Sequence, residues 1–117
     1  MFSEILLHHF QNPRNVGELP PPALCVEVTN PACGDILRLS VLFAQDRAVE
    51  ARYQIRGCTA SIAAGSALTE WIVGKTRAEL MAIKADAIER ATGGLTPETR
   101  HAAVLCVDGV KAILRRR

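Results

Sequence analysis

The sequence predicts an α+β fold, a three-stranded antiparallel sheet with helices packed on one face. Residues 24 to 56 form three apolar-rich runs joined by short turns, the pattern of neighbouring antiparallel strands. Most of the chain after Gly57 instead carries helix-capping residues and helical spacing. Strands and helices that fall in separate blocks belong to segregated layers, not to alternating βαβ units. With 117 residues, 49% of them hydrophobic, the chain reads as one domain spanning 1–117. Disordered, collagen-like and low-complexity classes are excluded. Aromatic residues are only 4%, so the core has to be built from Ala, Val, Ile and Leu.

In chain order, Ser3 is placed to cap a short helix through Phe10, with Ile5, Leu6 and Phe10 as its apolar stripe. Asn12-Pro13-Arg14-Asn15-Val16-Gly17 breaks that helix, and Pro20-Pro21-Pro22 keeps the following chain extended. Leu24 to Thr29 is the first strand, and Asn30-Pro31-Ala32-Cys33-Gly34-Asp35 is a turn. Ile36 to Phe43 is the second strand. Gln45-Asp46-Arg47 turns into the third, Val49 to Arg56, with Val49, Ala51, Tyr53 and Ile55 sharing a face. Gly57-Cys58-Thr59 opens a helix rich in small residues that runs to Trp71. Gly74-Lys75-Thr76 ends it, and Thr76 with Glu79 forms a capping box for the next. Asp86 to Ala91 is a further short helix. After Gly93-Gly94, Thr96 caps a last helix that begins at Pro97 and runs to about Leu114.

The net charge is +2, and no basic face with interleaved aromatics accompanies it, so no nucleic-acid partner is expected. Arg115, Arg116 and Arg117 read as a solvated tail. No apolar run is long enough for a membrane span, and Met1-Phe2-Ser3-Glu4 does not open a signal peptide. A cytoplasmic location is therefore expected. There the four cysteines read as metal ligands, reactive thiols or buried core, not as disulfides.

Cys33 and Asp35 flank a permissive glycine and can turn toward one point. Taken alone, an Asp in such a turn also suits bonding to its own backbone. Cys58 follows a glycine at a helix N-terminus, where free amides and the macrodipole favour a thiolate. Its residue type is equally compatible with an inert packing role. His101 stands early in the last helix, where a partly exposed imidazole is the plain reading. His8 and His9 are expected to be solvated, and Cys25 and Cys106 to pack in the core.

These pieces together resemble the U-type iron–sulfur cluster scaffold family, the IscU-like and NifU N-terminal type. Asn12-Pro13-Arg14-Asn15-Val16-Gly17 is similar to that family's early loop, and Ala32-Cys33-Gly34-Asp35 to its first cysteine motif. Gly57-Cys58-Thr59-Ala60-Ser61 resembles the second, continued by Leu68-Thr69-Glu70-Trp71-Ile72-Val73-Gly74-Lys75-Thr76. In the third motif a histidine is followed at once by a cysteine. Aligned without gaps, His101 matches that histidine and Ala102 stands in place of the third cysteine. Taking Cys106 as the third cysteine requires a gap and loses the matches at Leu105, Asp108 and Lys111.

The resemblance implies a non-catalytic scaffold that binds iron or a [2Fe–2S] cluster at Cys33, Asp35, Cys58 and His101, with zinc as the alternative occupant. It implies a cysteine desulfurase as sulfur source and cluster-accepting client proteins as partners. The missing third thiol bears most on sulfur loading, since that cysteine is a main acceptor in the family. Leu95-Thr96-Pro97-Glu98-Thr99 also departs from the family's chaperone-binding segment. The other reading is a degenerate member that binds zinc or a partner protein without assembling clusters. On either reading the four donors should converge to within about 4 Å of one another or of a shared metal.

Overall fold

Three strands pair in sequence order. In the computed structural model, which describes residues 2–31 and 33–116, β1 (Leu24–Thr29), β2 (Ile36–Ala44) and β3 (Arg47–Arg56) form one antiparallel sheet. Met1, Ala32 of the first cysteine motif and Arg117 of the terminal triplet lie outside the described residues. The central strand sets Leu39 between Val26 and Tyr53, and Leu37 between Val28 and Ile55. Leu37, Leu39, Val41, Ala51 and Tyr53 are buried on the inner face. Arg38 and Gln54 are exposed on the outer one, where Arg38 pairs with Glu18 at 2.9 Å.

The β2–β3 turn is tighter than expected. Gln45 and Asp46 both take left-handed backbone, φ 52° and 69°, which matches the right-handed twist of the flanking strands. Pairing therefore resumes at Arg47, two residues before the expected start. A bulge then corrects the predicted face. Leu42 pairs with Glu50 and Phe43 with Ala48, so Val49 is the unpaired extra residue. Ala48 turns inward at 1% exposure while Val49 is left 47% exposed.

Two helices cover the inner face. α2 (Thr59–Ile72) lies over β3, and α5 (His101–Arg115) over β1 and β2. The small residues Ala60, Ala63, Ala64 and Ala67 of α2 are all buried, and they permit the close approach that compensates for the scarcity of aromatics. Ala103, Cys106, Val110 and Ile113 form the predicted buried stripe of α5. α3 (Arg77–Met81) and α4 (Ala85–Ala91) pack against this pair. The Thr76 box is present: Glu79 N–H donates to Thr76 Oγ1 at 3.2 Å, and Thr76 N–H to Glu79 Oε1 at 2.9 Å.

The last helix does not begin at Pro97. Pro97–Thr99 is a single 3₁₀ turn, in which Thr99 Oγ1 accepts the Thr96 amide at 3.0 Å, and α5 starts afresh at His101. Cys25 is also not a core residue. Strand alternation places it on the outer face with Glu27, only partly buried, where its sulfur accepts a hydrogen bond from the Arg38 guanidinium.

α1 (Glu4–Gln11) turns Leu6 and His9 inward, leaving Ile5 and Phe10 substantially exposed. His9 is thus buried, contrary to expectation. The Arg14 amide donates to Ser66 Oγ at 2.9 Å, and Ser66 lies 2.7 Å from His9 Nδ1. Arg14 Nη1 is 3.2 Å from the same nitrogen. Nδ1 therefore accepts, and the ring proton sits on Nε2, 3.7 Å from Glu70 Oε1. Arg14 also reaches the exposed His8 at 2.6 Å.

Burial, with Arg14 and His8 adding to it, holds His9 below its usual 6.5 despite the opposing charge of Glu70. The unfolded chain then takes up a proton that the folded chain refuses, so His9 makes stability fall as pH drops below about 6.5. Urea unfolding should show a lower midpoint at pH 5.5 than at pH 7.5. His9→Gln should reduce that slope, and an unchanged slope would contradict the neutral, buried imidazole.

Candidate metal centre

The site is assembled where the N-termini of α2 and α5 meet the β1–β2 turn. In that turn Asn30 O accepts the Gly34 amide at 2.7 Å, and the Asn30 amide donates to Asp35 O at 2.9 Å. Closing it requires left-handed backbone at Gly34, φ 77°, a conformation glycine adopts without a side-chain penalty. Cys33 is left exposed and Asp35 is turned inward to 8% exposure.

Cys58 occupies the N-cap of α2 but makes no side-chain cap bond. Ser, Thr, Asp or Asn at that position would contribute about 1 kcal/mol, so the thiol is placed there at a local cost. Sites that break a local rule in this way are where function is to be sought. Its backbone amide and the Ser61 hydroxyl both donate to the Asp35 carboxylate, the latter at 2.5 Å to Oδ2. The approach is close enough that a Cβ on Gly57 would lie 2.6 Å from Asp35 Cγ, so only glycine fits. Burial pushes the Asp35 carboxyl up, but hydrogen bonds from Ser61, Cys58 N–H and the Cys33 thiol, with the nearby His101 charge, leave it below its ordinary 3.8. Asp35 is therefore an anion through mildly acid solution.

His101 is the first residue of α5, and its Nδ1 lies 3.1 Å from Glu98 O. A carbonyl only accepts, so Nδ1 carries a proton and Nε2 is the atom offered to the site. Nε2 lies 3.5 Å from Cys58 Sγ and 3.4 Å from Asp35 Oδ2. Donor atoms of Cys33, Asp35 and His101 all fall within 4.8 Å of one another, wider than the expected 4 Å, and Cys58 stands outside that set, with its sulfur 3.5 Å from His101 Nε2. A lone pair on Nε2 facing a sulfur and a carboxylate oxygen is satisfied only by a proton or a metal cation among them.

Cys106 is elsewhere. It is fully buried, and burial pushes its thiol up to about 12, which leaves it protonated and a poor ligand. Burial first, and Cys106 second, also push the Tyr53 hydroxyl up to about 12. Ala102, next to His101, is fully buried. Gly57 and Ser61 appear in the sequence as letters of the second cysteine motif. Nothing in their spacing discloses that Ser61 holds Asp35 and that Gly57 leaves room for it, because that contact joins the motif to another turn.

A three-stranded sheet layered with helices, gathering two exposed thiols, a carboxylate and an imidazole at two helix N-termini, defines a class of small domain with a mixed soft and hard donor set. The chain belongs to the NifU-like N-terminal domain family, whose sequence profile matches residues 1–116. The iron–sulfur cluster assembly scaffold protein IscU 1 of Archaeoglobus fulgidus is 37% identical over 111 residues, spanning 95% of this chain and 72% of that protein. The scaffold protein IscU of Escherichia coli K12 is 36% identical over 117 residues, spanning 97% and 91%. The fold matches the crystal structure of a putative iron–sulfur cluster assembly scaffold for the SUF system from Fervidobacterium islandicum. The TM-score is 0.78 at 21% identity, over 97% of this chain and 96% of that one.

Proposed function

We propose that this chain is a non-catalytic scaffold or carrier for iron–sulfur cluster assembly. It binds iron or a [2Fe–2S] cluster through Cys33, Asp35, Cys58 and His101 and passes it to client proteins. The observation that carries the reading is the imidazole Nε2, freed by the Nδ1–Glu98 hydrogen bond and set between Cys58 Sγ and Asp35 Oδ2. Thiolates suit iron–sulfur clusters and zinc, while carboxylate and imidazole are harder donors that release iron more readily than an all-thiolate set. A site that must give up its cargo benefits from such a mixture. Two of the donors are exposed cysteines, open to sulfur arriving from a cysteine desulfurase.

A second reading is a degenerate relative that holds zinc and builds no cluster. It is favoured by Ala102, read as standing where the family places a third thiol, because the four remaining donors fill a tetrahedral zinc shell. Anaerobic incubation with iron and sulfide separates the two. The scaffold reading expects visible absorption of a [2Fe–2S] chromophore and its transfer to an apo-ferredoxin. Tight zinc binding without a chromophore would establish the second reading instead.

A further inference from the structure

Ser61 is a fully buried hydroxyl in the first turn of α2, amid alanines. A buried serine in a helix usually bonds back to a carbonyl one turn earlier. This one instead contacts two donors of the proposed site. It donates to Asp35 Oδ2 at 2.5 Å and lies 3.4 Å from Cys58 Sγ. We propose that Ser61 is a positioning residue, which locks the Asp35 carboxylate into its binding geometry before the metal or cluster arrives. The inference rests on the scaffold reading of the same site.

The oxygen held by Ser61 is the one that lies 3.4 Å from His101 Nε2. Fixing Oδ2 therefore fixes which carboxylate oxygen faces the imidazole. Without the hydroxyl, Asp35 keeps the Cys58 amide and the Cys33 thiol, but its carboxylate is free to rotate that oxygen away. Ser61 has one proton and gives it to Asp35. Partners that orient metal ligands typically contribute 10–100-fold in affinity when removed.

Cobalt(II) is the probe, because its visible spectrum reports thiolate ligation and geometry as well as affinity. The native chain should bind it with sulfur-to-cobalt charge-transfer bands. Ser61→Ala should bind about 10–100-fold more weakly, with altered ligand-field bands and an unchanged far-UV circular dichroism spectrum. In an Asp35→Asn background the same substitution should cost only a few-fold, because the group it positions is already gone. Ser61→Thr keeps the hydroxyl and should bind within a few-fold of the native chain. Equal losses in both backgrounds, native affinity in Ser61→Ala, or a folded Ser61→Thr as weak as Ser61→Ala would each overturn the positioning role and leave the site standing. A native chain that takes up no cobalt would overturn the scaffold reading, and this inference with it.

Discussion

Gly57→Ala is expected to lower metal affinity at least as far as losing an orienting partner does, by about 10–100-fold. The added Cβ would lie 2.6 Å from Asp35 Cγ and 2.8 Å from Oδ2, distances that real contacts do not allow. The carboxylate is gripped by Ser61, Cys58 N–H and the Cys33 thiol, so it cannot swing aside without breaking those bonds. Overpacking of this kind typically costs about 1–3 kcal/mol of stability. Zinc affinity and the thermal midpoint should therefore fall together. Native zinc affinity in the variant would mean that Asp35 tolerates displacement and that its cage is not needed.

Ala102→Cys is expected to act in the opposite direction. If Ala102 holds the third-cysteine position, the new thiol adds a soft donor beside His101, and a reconstituted cluster should persist longer against chelator. The surroundings are packed, since Ala102 is fully buried, so a stability loss of about 1–3 kcal/mol should accompany the gain. Cys106→Ala is the control. Its thiol is buried and pushed up to about 12, so the substitution should cost about 1–2 kcal/mol of stability and leave cluster content unchanged. The reverse pattern, with Ala102→Cys inert and Cys106→Ala losing the cluster, would make Cys106 the third ligand.

What the sequence disclosed divides by range. The strands of the meander, the Thr76–Glu79 box and the buried stripe of α5 depend on side chains a few residues apart, and each is legible from spacing. The outward turn of Val49 is not, because a bulge is a property of the pairing between β2 and β3 and not of either strand. In the sequence His9 is indistinguishable from a surface histidine, since its partner Ser66 lies on another helix. Leu24 and Val26 flank Cys25 and suggest core, although strand alternation sends it to the opposite face.

The site divides in the same way. Cys33, Asp35, Cys58 and His101 are visible as motif residues because their chemistry is distinctive. The break after Thr99 sets His101 at a fresh helix start, where Nδ1 reaches Glu98, whereas Pro97 at a first turn suits one continuous helix equally well. Gly57 and Ser61 carry no distinctive chemistry, and the room one leaves for Asp35 and the hydrogen bond the other gives it arise only when the β1–β2 turn folds back against α2.

Acid-labile sulfide and iron per chain, measured after anaerobic reconstitution of single variants, tests most directly that Cys33, Cys58 and His101 belong to the binding centre. Cys33→Ser, Cys58→Ser and His101→Ala should each lose most of the cluster absorption while retaining the fold. Cys25→Ser and Cys106→Ala should match the native chain, because Cys25 accepts a hydrogen bond from Arg38 on the outer sheet face and Cys106 is buried in the core. Full cluster content in Cys58→Ser or His101→Ala, or its loss in Cys106→Ala, would contradict the assignment.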